Sequence, residues 1–376
     1  MYLRSQDQWQ GPEQRAWLVK RKQTRPLHGE KDLKEITIRK RSSQGKPFSI
    51  SSELEFHPAW WLPGAHSQTL WNARIRRVPL IDLLEETHEL PDRDFLEWFW
   101  LKETFEAPPE VPTILILHGL EGCARSNYVQ DLIHQLSPLG WRVVVMQYRN
   151  CGNKPNRLAQ SYHAMRWQEL DWTVQILHGR FPEAPIGVVG FSIGGSILLN
   201  WLGQNEARNI QAACAISVPY NLSSCADRLN QGFSKTYQQH LVGRLKCSAV
   251  RKWTLLKEAL GLSDLSQING LETLWEFDDL LTAPLHGFKN VHDYYEKASC
   301  RQYLAGIQVP ALLVHALDDP FMVPEVVPQT SELSNLVQTA FVPVGGHVGF
   351  VSGIFPGNDW SWLSQIVPSF FKTNFR

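Results

Sequence analysis

The sequence predicts an α/β protein with a mostly parallel central sheet, and three observations carry that expectation. Compact apolar runs rich in Val, Ile and Leu recur after Pro112. Amphipathic stretches lie between them. One long interval, 220–300, breaks the rhythm with helical patterns alone. Short continuous apolar runs mark strands buried on both faces, as in parallel sheets covered by helices. Their alternation with helices defines the class.

Taken in order, residues 1–50 carry 12 Lys and Arg against 5 Asp and Glu, leaving 25 against 32 for the rest, so a +7 arm precedes a −7 body. The arm reads as a solvated extension, with a tether to nucleic acid or anionic lipid as the alternative. It is assigned no chemistry, and no nucleic-acid partner is expected. The segments "LLEETHEL" (83–90) and "DFLEWFWL" (94–101) alternate in polarity around a "PDRD" turn, which suits an antiparallel hairpin. Buried strands are expected at 113–119, 142–149, 186–192, 212–218, 311–317 and 339–344. Helices at 127–140 and 166–181 should stop near Gly140 and Gly179, and a third runs over 194–204. Within the long interval, 226–246 and 249–262 read as amphipathic helix. An insertion there belongs above the C-terminal ends of the strands, where open α/β sheets bind ligands. The expected organisation is therefore an extension (1–50), a core (51–219 and 301–376) and a helical lid (220–300).

Composition narrows the class further. With 43% hydrophobic residues in 376, the chain can bury a large core. The opening residues lack the apolar stretch of a secretory signal, and no window approaches the ~20 apolar residues of a membrane helix. The six cysteines never fall in a C-x-x-C pair, so free thiols in a reducing, cytoplasmic setting are expected, most of them buried. Cys123 and Cys151 lie near the motifs below, yet neither has a local base. No H-E-x-x-H, P-loop or dinucleotide fingerprint is present, so neither metal nor cofactor is implied. Trp60, Trp61, Trp98 and Trp100 read as packing residues rather than a membrane belt, although peripheral membrane contact stays open.

"VVGFSIGGSILLN" (188–200) turns from strand to helix at a serine flanked by Gly190 and Gly194. This is the G-x-S-x-G nucleophile elbow, whose sharp turn exposes Ser192 above the sheet. A serine hydroxyl attacks only when a base takes its proton and an acid orients the base. In this architecture acid and base follow in that order after later strands. "ALLVHALDDP" offers Asp318 or Asp319, and "TAFVPVGGHVGF" offers His347. Two backbone N–H groups must bind the oxyanion. Ile193 follows the nucleophile, and Leu120 lies in "LHGLEG" after the strand at 113–119.

The segments "PAWWLPGAHSQTLW", "HGLEGCARSNY", "GFSIGGSILLNWLG", "FDDLLTAPLHGF", "DYYEKAS", "ALDDPFM" and "GGHVGF" together resemble the YheT-like branch of the α/β-hydrolase superfamily, over about residues 55–355. The resemblance implies an α/β-hydrolase fold and a serine hydrolase of the esterase or lipase kind. It places the nucleophile on Ser192, the acid on Asp319 and the base on His347. Two departures stand out: "YRNC" has Asn150 where the family has Gly, and "SYHAMRW" lacks the usual Ser-Gly after Tyr-His. The expected reaction is cleavage of a small-molecule or lipid carboxylic ester. A non-catalytic scaffold, or a thioesterase or C–C hydrolase using the same residues, is the alternative. Nothing in the sequence fixes the oligomeric state.

Overall fold

The computed structural model describes residues 54–206 and 209–375. The basic arm expected at 1–50 lies outside them. A short helix, α1 (Ala65–Leu70), runs into a wider turn at Trp71–Ile75 and precedes the hairpin β1 (Leu83–Glu89) and β2 (Phe95–Leu101). Then follow β3 (Thr113–Leu117), α2 (Asn127–Leu136), β4 (Arg142–Gln147), α3 (Gln168–Arg180), β5 (Ile186–Phe191), α4 (Ile193–Gln204) and β6 (Ala212–Ile216). Seven helices come next: α5 (Leu222–Leu229), α6 (Ser234–Arg251), α7 (Trp253–Leu260), α8 (Ser266–Asn269), α9 (Leu274–Phe277), α10 (Ala283–Leu285) and α11 (Val291–Ala298). The chain ends with β7 (Ala311–Ala316), β8 (Val337–Val342), β9 (Val351–Phe355), β10 (Asn358–Ser361) and α12 (Leu363–Asn374).

Eight strands form one sheet in the order β1-β2-β4-β3-β5-β6-β7-β8. The hairpin joins β4 antiparallel, and all later pairs are parallel. Strands β3 to β7 are buried along their whole length, because alternate residues enter two different cores. Leu115, Leu117, Val144 and Val188 pack with Leu170, Val174 and Trp201 of α3 and α4. Ile114, Ile116, Val143 and Val189 pack with Leu132 and Ile133 of α2 and with Ile366 and Phe370 of α12. Edge strand β8 is only half-buried, so its apolar run does not mean burial on both faces. It also sits two residues earlier than the run 339–344 suggests.

Other departures have local causes. The pattern at 226–246 is two helices rather than one, broken at Gly232, whose φ is +51°. Gly140 caps the turn after α2 in the left-handed conformation, whereas α3 runs one residue past Gly179. The hairpin β9–β10 gave no signal, since its strands are short and partly exposed. Trp98 and Trp100 are core residues, but Trp60 is 77% exposed. All six thiols are free; three are buried, so burial is less general than expected.

Asn150 has a φ of +71°, a left-handed backbone that costs glycine nothing and asparagine little, which explains its exchange with the family's Gly. Its N–H donates to Asn156 Oδ1 at 2.7 Å. The neighbouring Arg149, itself buried, pairs with Asp92, Asp94 and Glu169 and so fastens this loop to the hairpin and α3.

Candidate active site

At the end of β5 the backbone turns through Ser192, with φ 51° and ψ −118°, directly into α4. Such a conformation strains an L residue and persists only where the surroundings enforce it. Here they do. A Cβ on Gly190 would lie 2.5 Å from the Gly194 carbonyl oxygen, and one on Gly194 would lie 2.6 Å from the carbonyls of Leu117 and His118. The two glycines let β5, α4 and the end of β3 close upon one another, leaving the hydroxyl above the sheet.

His347 lies in the loop between β8 and β9. Its Nε2 is 3.1 Å from Ser192 Oγ, and its Nδ1 is 2.8 Å from Asp319 Oδ2. A carboxylate can only accept, so Nδ1 carries the ring proton and Nε2 is left to accept from the serine. Asp319 is 3% exposed, and its other oxygen accepts the Phe321 N–H at 2.9 Å. The Phe321 ring stacks on the imidazole, with centroids 3.9 Å apart and planes within 7°. Asp318 does not touch the histidine ring. Its Oδ1 accepts the Gly346 N–H at 2.9 Å, and burial raises its carboxyl above the usual range.

The histidine loop is fastened from two further directions. The His347 N–H donates to Thr69 Oγ1 of α1 at 2.9 Å, and the Val348 N–H to Ser217 Oγ, just after β6, at 3.1 Å. Thr69, Ser217 and Phe321 were given no role by sequence reasoning. Thr69 and Phe321 stand inside motifs quoted for the family resemblance, but their side chains have no proton chemistry to single them out.

The loop after β3 faces the elbow. A Cβ on Gly119 would touch that of Ser192 at 3.4 Å, and the Gly119 N–H donates to Tyr128 Oη at 2.8 Å. Among the described residues no protein acceptor takes the N–H of Leu120 or Ile193. Glu121, with φ +53° and almost fully buried, accepts from Ser248 Oγ of α6 at 2.6 Å and from Tyr162 Oη at 3.1 Å. Burial lowers His118 to about 4, so the imidazole beneath this loop is neutral. Its Nδ1–H donates to the Gly119 carbonyl at 2.8 Å.

Ser192, His347, Leu120 and Ile193 all line one cavity of about 810 Å³. Its far wall comes from the helices between β6 and β7, with Leu245, Leu256, Phe277 and Leu281 buried against one another. Asn150, Ser161 and His163, at or beside the two departures from the family pattern, also line it. Among the described residues no group of three or more His, Cys, Asp or Glu side chains could hold a metal ion.

A family model described as the alpha/beta hydrolase fold matches residues 112–354. The chain belongs to the α/β-hydrolase family. Within it the similarity to YheT is extensive: YheT of Escherichia coli (strain K12) is 34% identical over 86% of this chain and 95% of its own. Phospholipase ABHD3 of Mus musculus is 28% identical, covering 84% of this hydrolase and 78% of that protein. Monoacylglycerol lipase of Saccharomyces cerevisiae (strain ATCC 204508 / S288c) is 30% identical over 64% of this chain and 55% of its own. Among solved structures, the esterase Pf2001 of Pyrococcus furiosus shares the fold, with a TM-score of 0.51 at 18% identity, covering 84% of this chain and 98% of that one. No helix among the described residues is long and apolar enough to cross a membrane.

Proposed function

We propose that this hydrolase cleaves carboxylic esters of small molecules or lipids through a Ser192–His347–Asp319 triad and an acyl-enzyme. The observation that supports the reading most directly is the chain of two contacts, 3.1 Å from serine to imidazole and 2.8 Å from imidazole to buried carboxylate, opening into an apolar cavity. Ser192 Oγ attacks the ester carbonyl while His347 Nε2 takes its proton. Asp319 keeps Nδ1 protonated and stabilises the imidazolium. The Leu120 and Ile193 amides bind the oxyanion. Collapse expels the alcohol, protonated by His347. Water then repeats the sequence on the acyl group and restores the serine. The names of the relatives, a phospholipase and a lipase among them, support the ester as the bond attacked.

The helices over 220–300 act as a lid in this reading. They supply the apolar wall, so acyl chains of medium length should be preferred to acetyl, each buried methylene contributing about 0.8 kcal/mol. The free thiols suit the cytoplasm. The test is fluorophosphonate labelling together with turnover of p-nitrophenyl esters of graded length. Wild type should label and turn over; Ser192→Ala should do neither while keeping its circular dichroism. Equal labelling of the variant sinks the assignment of the nucleophile, and an unlabelled wild type points to a scaffold.

A further inference from the structure

The cavity wall is polarised. Its exposed members, the residues at its lip, are Ala73, Arg74, Arg125, Thr236, His240 and Arg244: three guanidiniums, one imidazole and no acid. The depth is the opposite in character, formed by buried side chains such as Leu245, Phe277 and Met322. The lining does hold two carboxylates, but both are committed elsewhere. Glu121 accepts from Ser248 and Tyr162, and Asp278 from Thr282 and Tyr295.

The three guanidiniums share the lip with no exposed acid. Arg74 Nη2 is 2.8 Å from His240 Nε2, and Arg244 follows His240 by four residues on α6, on the same helix face. Arg125 and Arg244 are exposed members of the same lip, where no acid is exposed beside them. After burial, the charges of Arg74 and Arg244 lower the pKa of His240. The charge of Arg244 also reaches His118, under the loop that carries Leu120. Guanidiniums that share the lip of one cavity with no exposed acid to neutralise them are a standing receptor for an anion, since a bidentate oxyanion satisfies their N–H forks.

We propose that Arg74, Arg125, His240 and Arg244 receive an anionic, phosphate-type group on the alcohol side of the ester, so that the substrate class is an amphiphilic acyl ester with an anionic head. The assignment rests on the hydrolase reading above. The acyl chain occupies the apolar depth, the ester carbonyl sits at Ser192, and the anion lies at the lip. Neutral esters of equal chain length lose the lip contacts but keep the rest.

Two measurements on the full chain test this. The first compares kcat/KM for 1-octanoylglycerol 3-phosphate and for 1-octanoylglycerol. Wild type should favour the phosphorylated ester by about 10- to 100-fold, and the preference should shrink by about 10-fold in Arg244→Gln and further in Arg74→Gln/Arg244→Gln. Equal rates on the two esters in wild type, or an unchanged preference in the double variant, overturn the proposal. The second measures octyl phosphate binding to Ser192→Ala by calorimetry, which needs no turnover. It should bind, more weakly as NaCl is raised from 50 to 500 mM, and more tightly than inorganic phosphate. Inorganic phosphate binding as tightly as octyl phosphate makes the lip a site for a free anion and overturns the substrate class. Octyl phosphate binding with neither ester cleaved defeats the hydrolase reading and leaves the receptor standing. Cleavage of the neutral ester with no octyl phosphate binding does the reverse.

Discussion

Asp318 and Asp319 differ by one position in sequence and by their entire surroundings in the fold. Asp319 Oδ2 meets the imidazole, whereas Asp318 Oδ1 meets the backbone N–H of Gly346, one residue before the histidine. In Asp319→Asn the amide NH2 can donate to Nδ1, which favours the wrong tautomer, so kcat/KM should fall by roughly 10³- to 10⁴-fold. In Asp318→Asn the side-chain oxygen still accepts from Gly346, and the loss should stay at about tenfold or less. Steady-state kinetics on one ester, with circular dichroism for folding, separates the two. A larger loss at Asp318 would move the acid by one residue. The proposed nucleophile and base were legible because their signals are local: glycines at fixed offsets, and a lone histidine among small residues. Thr69 was not, because its role is one bond to a backbone 278 positions away, and nothing in "HSQTL" announces it.

At the scale of elements, the bond from Ser248 to Glu121 joins α6 to the loop that presents the Leu120 amide. Ser248→Ala removes the bond without adding bulk. One hydrogen bond to a carboxyl group contributes at most about 1.5–3 kcal/mol. We expect kcat to fall about 3- to 10-fold with KM within twofold, and Ser248→Thr to restore it. A rise in KM alone would show that Ser248 merely lines the pocket. The contact was invisible beforehand because it depends on how a helical insertion settles on a loop 127 residues earlier. Elements themselves were easier to foresee. Strands β3 to β7 announce themselves because burial on both faces demands unbroken apolar runs. The edge strand β8 and the hairpin β9–β10 answer to solvent on one side, and their boundaries blur accordingly. Helices were expected at 226–246 and 249–262 within this insertion, but their breaks, set by single residues such as Gly232, were not.

For the molecule as a whole, buried imidazoles set the response to acid. Burial lowers His286 from 6.5 to about 3; its ring lies 4.4 Å from that of His163, which burial also holds well below the ordinary value. A base with a depressed folded pKa contributes stability that is intact above about 6.5 and is lost as pH falls toward the folded value. Asp278 works in the other direction. Burial raises it to about 6, so its contribution is present below the ordinary carboxyl pKa and is lost as pH rises through 6. Urea unfolding at pH 7 and 4.5 should show His286→Gln losing roughly 2–3 kcal/mol less than wild type over that interval. Identical slopes would mean that His286 does not carry the acid response. Lastly, the fastening of His347 by Thr69, with Ser192 155 positions before the histidine, has a consequence for biosynthesis. At ~5–20 residues per second, a ribosome needs roughly 8–30 s to travel from the serine codon to the histidine codon. Throughout that time the emerging polypeptide carries the proposed nucleophile without the base that would arm it. In the proposed mechanism the triad is complete only once His347 has emerged, so a chain abandoned between the two codons is inert toward the esters around it.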